Sequence, residues 1–210
     1  MNNKDIAVQT YKYFATLEGN QCIATEFAIK VILDIIEDYN AKNILEMGVG
    51  IGAISFGILD YAKINKKNLN FVGTEANDFC LKVLPQYLKE HYSKIKLFYA
   101  VNSVSSDELF DVIIIDGIDD NMNKVEKIIS KNGIIIIEGD RQPQLAIIKN
   151  IFPNSRYTRV ISNYKNPDYG PIYSDHFCGG VQLIFTNPTI KQKLDFYIYK
   201  IKTAVKYRLR

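Results

Sequence analysis

The sequence predicts an α/β fold built on a doubly wound sheet of seven strands, mostly parallel, with an antiparallel edge strand. Three observations carry this. Helix-like and strand-like segments alternate from about residue 22 to 187. The segments at 112–115 and 133–137 are apolar throughout, as strands covered on both faces are. After residue 152 two strand-like segments are joined by a long polar loop with no helix between them, which marks an antiparallel pair at one edge.

The elements follow in order. N-terminal helices fill residues 1–40; within them, over 22–39, Ile23, Phe27, Ala28, Val31, Ile32 and Ile35 form one helical stripe. A first strand, 43–47, carries Glu46 near its end, and a glycine cluster leads into a helix over 53–62. A strand at 69–74 precedes a helix at 78–91, which puts His91 on a polar, solvent-facing side. A third strand spans 95–101 and a fourth 112–115. A short helix covers 122–130, a fifth strand 133–137, and a helix 143–152. The last strands, 156–162 and 181–186, flank a loop holding Pro167, Gly170, Pro171, Gly179 and Gly180. The core is expected as one domain over 1–190. The segment 191–210 reads as an amphipathic helix, with Leu194, Ile198, Ile201 and Val205 on one stripe and Lys193, Lys200, Lys206 and Arg210 off it.

Composition narrows the class. The 210 residues are 47% hydrophobic and 23% charged, ordinary for a folded enzyme and wrong for a disordered chain. No apolar run is long enough to span a bilayer, and the first ten residues lack the apolar core of a signal peptide. Cys22, Cys80 and Cys178 are odd in number and widely spaced, which disfavours a disulfide framework or a zinc site and suits a reducing, cytoplasmic location. Seven of the last twenty residues are Lys or Arg against one Asp, whereas the rest holds 19 positive and 22 negative side chains. A mildly acidic body argues against a nucleic-acid partner, which calls for a broad basic face.

The most informative stretch is Asn43-Ile-Leu-Glu-Met-Gly-Val-Gly-Ile-Gly52. A strand ends, glycines stand at 48, 50 and 52, and a helix begins. Glycine permits the sharp turn and lets a ligand touch bare backbone, and the helix N-terminus offers free N–H groups. The spacing is G-x-G-x-G, not the G-x-G-x-x-G of dinucleotide enzymes. Glu46, two positions before Gly48, would repel a pyrophosphate but not a cationic amine or sulfonium. In these residues the chain resembles the Rossmann-like class I S-adenosylmethionine-dependent methyltransferases, over roughly residues 18–187. The resemblance implies S-adenosylmethionine as cofactor, held by Glu46, Gly48, Gly50 and Gly52. It implies that Glu75, with its neighbour Ala76, receives the ribose hydroxyls, that Asn102 and Ser103 lie near the adenine, and that Asp116 lies beside the methionyl group. Asn102 replaces the commoner aspartate.

Within that superfamily the nearest likeness is to small catechol-type O-methyltransferases, which carry a glycine-containing turn like Leu17-Glu-Gly-Asn-Gln21 and a fourth-strand exit like Ile115-Asp-Gly-Ile-Asp-Asp120. Their fifth strand ends in Asp-Asn or Asp-Asp and completes a divalent-metal site. Here it ends Glu138-Gly-Asp-Arg141, with glycine where one ligand should stand. Asp116, Glu138 and Asp140 could still supply oxygens to magnesium, but a metal is not favoured, and Arg141 could pair with either acid. Transfer to oxygen needs a base; Asp116, Asp140 and His176 are the expected catalytic residues, with Asp119 a further candidate. Asp175 could orient His176, and Tyr164, Tyr169, Tyr173 and Phe177 suit a sugar or planar acceptor.

The leading expectation is therefore a methyltransferase acting on a small molecule or sugar, by O-methylation. The alternatives are an S-adenosylmethionine-binding protein without its own catalysis and an NAD-dependent oxidoreductase. The basic tail is expected to dock on its own domain or on the twin subunit of a homodimer; the alternative is peripheral contact with an anionic membrane, where a lipid-linked glycan would be a natural acceptor.

Overall fold

The computed structural model describes residues 1–210. Its seven strands are β1 (Asn43–Met47), β2 (Asn70–Thr74), β3 (Ile95–Phe98), β4 (Phe110–Ile115), β5 (Ile129–Glu138), β6 (Arg156–Val160) and β7 (Val181–Phe185). They form one sheet in the order β3-β2-β1-β4-β5-β7-β6. β1 to β5 are parallel, and β7 runs antiparallel to both β5 and β6. The expected doubly wound architecture with an antiparallel edge is the observed one. No helix is long and apolar enough to cross a membrane.

The isoleucine runs explain the layering. Side chains alternate across a strand, so Val112, Ile114, Ile134 and Ile136 enter one core with helices α1 (Asn3–Ala15), α2 (Glu26–Asp38) and α3 (Ala53–Ile64). Ile113, Ile115, Ile135 and Ile137 enter the other, beneath α5 (Val125–Ile128) and α6 (Gln142–Ile151). The remaining long helices are α4 (Asp78–Leu88) and α7 (Ile190–Arg208). A third cluster joins α1 and α4 to the glycine loop through Tyr11, Phe14, Val49, Ile51, Leu84 and Leu88.

Several boundaries differ from the sequence expectation, each for a local reason. α2 starts at Glu26 instead of residue 22 because the Thr25 hydroxyl caps it, accepting from the Ala28 N–H at 3.2 Å. The helix expected over 122–130 is short, since Ile129 already pairs with Phe110 as the start of β5. β3 ends at Phe98, three residues early, because residues 101–103 turn as a 3-10 helix. His91 is not solvent-facing: it is buried in a 3-10 stretch after α4, edge-on to Phe56 with ring centroids 4.9 Å apart and 3.6 Å from Asp60. Burial lowers its pKa, and the facing Asp60 opposes that.

α7 docks on its own domain, but through the face opposite the predicted stripe. Phe196, Gln192 and Thr203 are buried; Gln192 Nε2 donates to the Asn132 carbonyl at 2.8 Å and Thr203 Oγ1 to that of Arg159 at 2.5 Å. Asp195 turns inward to the Tyr39 hydroxyl at 2.5 Å. Polar hooks to free loop and edge carbonyls thus outcompete the aliphatic stripe, which stays outside.

Candidate functional site

The strand order reverses between β1 and β4, the point at which open α/β sheets bind ligands outside their strand C-termini. The two exits are pinned together there. The Asp116 and Gly117 N–H groups both donate to the Met47 carbonyl at 2.9 Å, and those of Gly48 and Val49 to the Thr74 carbonyl at 3.0 Å. Side chains cannot stand at the crossing: a Cβ on Gly48 would sit 2.5 Å from the Gly117 nitrogen.

Above this floor opens a cavity of about 510 Å³. Gly48, Gly50, Glu75, Ala76 and Asp116 line it, together with Cys22, Tyr99, Ala100, Ile118, Asp119 and Arg141 among others. Gly50 has φ +58°, and a Cβ built on it meets nothing within 4 Å. Its backbone therefore faces open cavity directly, which is the cradle a close-contact ligand needs. The ionisable lining is Glu75, Asp116, Asp119 and Asp120 against one cation, Arg141, so the space is anionic. The N-terminal turn folds over the glycine loop: a Cβ on Gly19 would lie 3.0 Å from Ile51, and Cys22 follows on the cavity wall.

Glu75 is held by backbone amides. Its Oε1 accepts from the Ala76 and Asn77 N–H groups at 2.9 and 2.7 Å, and its Oε2 from Gly50 at 2.5 Å. A carboxylate has about four acceptor directions, so one on Oε2 remains for a ligand hydroxyl. Asp119 ties the β4 exit to the β3 exit, its Oδ2 accepting from the Val101 N–H at 2.8 Å.

Arg141 Nη2 donates to Asp116 Oδ1 and lies 3.5 Å from Glu138 Oε2. One guanidinium thus bridges the two strand-end acids. Both carboxyls are pushed upward, first by burial. Arg141 opposes this for each.

Six expected site residues lie elsewhere, and two expected catalytic residues are among those corrected. Asp140 points away from the cavity to Arg159, at 3.1 Å, because Gly139 at φ +68° turns the chain over the end of β5. His176 is exposed in the long loop, 3.9 Å from Asp175 and edge-on to the Tyr173 ring at 5.8 Å. Glu46 is fully buried under the floor, taking a hydrogen bond from the Ser55 hydroxyl at 2.5 Å; burial, then repulsion from Asp116 and Glu75, raises its pKa well above the usual range. Gly52 packs beneath Leu84 and Leu88. Asn102 and Ser103 fall past the early end of β3, so Tyr99 and Ala100 occupy the exit instead. Those two, Cys22 and Ile118 were missed; an apolar residue at a strand exit reads as core until the end of the strand is known.

A metal does not fit this donor set. No three acidic, His or Cys side chains gather closely enough to hold one, and Arg141 fills the gap between Asp116 and Glu138.

This arrangement has solved counterparts. The chain shares its fold with known methyltransferases. The O-methyltransferase of Bacillus cereus, solved with SAH, matches 86% of this chain and 90% of its own, with TM-score 0.59 and 14% identity. A precorrin-6y C5,15-methyltransferase from Geobacter metallireducens matches 79% of this chain and 90% of its own, with TM-score 0.59 and 14% identity. TomG, an O-methyltransferase of Streptomyces achromogenes involved in tomaymycin synthesis and solved with SAM, covers 89% and 90%, with TM-score 0.55 and 12% identity. No protein-family model matches the chain, and no curated protein matches it in sequence.

Proposed function

We propose that the protein is an S-adenosylmethionine-dependent methyltransferase that methylates a hydroxyl of a small molecule or sugar. The carrying observation is the charge of the cavity over the bare Gly50 backbone: four carboxylates and one guanidinium. A dinucleotide pyrophosphate is repelled there, whereas a ligand bearing an ammonium and a sulfonium is attracted. The solved methyltransferases with this fold, two of them holding SAM or SAH, support the same reading.

In this reading Glu75 takes a ribose hydroxyl on its free Oε2 direction. Ala76, Tyr99, Ala100 and Ile118 supply apolar surface for the adenine, and Gly48 and Gly50 let the methionyl part lie against backbone. Glu46 supports the floor through Ser55 and makes no direct contact. When bound, the cofactor supplies an electrophilic methyl on a positive sulfur. The Asp116–Glu138 pair, which meets the cavity through Asp116, takes up the acceptor hydroxyl proton, with Arg141 holding it in place. A base works deprotonated. Because burial raises both acids, activity climbs with pH near neutrality instead of near the ordinary carboxylate value of about 4.

One feature supports the alternative of a binding protein without catalysis: an acid paired with a guanidinium is a weaker base than a free one. Labelled methyl transfer to a panel of phenolic and sugar hydroxyls separates the two. A labelled product, lost in Glu138→Gln by about 10²–10⁴ in kcat with cofactor affinity kept, supports the enzyme. Tight cofactor binding with no product across the panel, and no effect of Glu138→Gln on cofactor affinity, overturns it. Cys22, Cys80 and Cys178 all carry free thiols, which supports a reducing compartment such as the cytoplasm.

A further inference from the structure

The exposed side of α7 is built unlike the rest of the surface. Ile190, Leu194, Ile198, Ile201 and Val205 are between 46% and 79% exposed, and all lie on one side because they recur every three to four residues. Tyr197 and Leu209 extend the stripe. Lys193 and Lys200 border it on one side and Lys191 and Lys202 on the other, with Arg208 near its end. Asp195, the one acid of the helix, is turned inward to Tyr39 and Lys191. Lys193, Lys202 and Arg208 make no ion pair within the chain.

We infer that this face is a docking surface for an anionic membrane. Charge decides the occupant. The last twenty residues carry seven cationic side chains and one anionic one, while the body carries more acid than base; an anionic lipid surface therefore attracts this helix and repels the rest. A second copy on the same face would bring two sets of lysines together across a twofold. Lysines flanking an aliphatic stripe can reach lipid phosphates while their stems stay on apolar surface. The docked face needs no rearrangement, since Phe196, Gln192 and Thr203 already hold the helix to the domain with the stripe outward. The helix also ends near the cavity's side of the sheet: Lys206 Nζ and Arg210 Nε donate to the carbonyls of Ile161 and Ser162, just past β6, and β6 runs parallel to β5.

The inference is independent of the proposed chemistry and is tested without cofactor. Co-sedimentation would use the full chain with vesicles of phosphatidylcholine alone and of equal parts phosphatidylcholine and phosphatidylglycerol. Expected is binding to the anionic vesicles only, weakened by salt. Lys193→Gln with Lys202→Gln lowers affinity about 25-fold, near fivefold for each charge removed. Ile198→Glu with Ile201→Glu removes binding while leaving the melting midpoint in place; should that variant unfold, the lysine pair alone carries the test. Absence of binding to anionic vesicles, or equal binding to both, overturns the inference. So does a dimer in light scattering that Ile201→Glu dissociates while vesicles remain unbound.

Discussion

Gly50 offers the sharpest single substitution. Its hypothetical Cβ meets open cavity, so Gly50→Arg places a long side chain where the cofactor would lie without disturbing the core. Adenosyl binding should vanish in calorimetry while the melting curve shifts only by the cost of a side chain at φ +58°, about 1–2 kcal/mol. Glu75→Ala removes an ionised acceptor worth about 1.5–3 kcal/mol, and binding should weaken roughly tenfold to a hundredfold. That the glycine loop and Glu75 line a cavity was legible, because backbone exposure and charge at a strand exit are local properties. The Arg141 bridge was legible only as an option. Asp140 was misplaced because the chain reversal at Gly139, which aims it at Arg159, depends on a torsion that composition does not reveal. Arg141→Met should cost about 2–3 kcal/mol by guanidinium unfolding titration, less than the ~3–5 of a fully buried pair, since the arginine side chain is 30% exposed.

At the scale of elements, the strands were read well and the helix faces less so. Runs such as Ile113–Ile115 alternate into two cores whatever their neighbours do, so periodicity alone places them. α7 failed that logic, because its docking rests on Phe196 and on hydrogen bonds to distant carbonyls. The two faces should therefore respond in opposite ways: Phe196→Ala should cost about 3 kcal/mol as a buried aromatic truncation, and Ile201→Ala should stay within ~0.5 kcal/mol. His91 makes the α3 contact pH-sensitive. Its folded pKa lies below its unfolded one, so the unfolded chain takes up a proton first. Its contribution is complete above about pH 6.5 and is lost as pH falls from there through its lower folded pKa. The melting temperature of His91→Asn should decline less than wild type between neutral and mildly acid pH. An equal decline would mean that another group drives it.

The whole molecule combines an apolar scaffold with an acidic floor. Glu46, Asp116 and Glu138 are all raised by burial. The stability they contribute is complete below their unfolded pKa values and is lost as pH rises through the folded ones, opposite in sense to His91. In the proposed function, a cationic ligand above the floor would offset the burial of negative charge at Asp116. Titration calorimetry with S-adenosylmethionine, S-adenosylhomocysteine and NAD tests that electrostatic design. Both adenosyl compounds should bind, unchanged by magnesium and lost in Gly50→Arg, with no heat from NAD. Binding of NAD without the adenosyl compounds would contradict it.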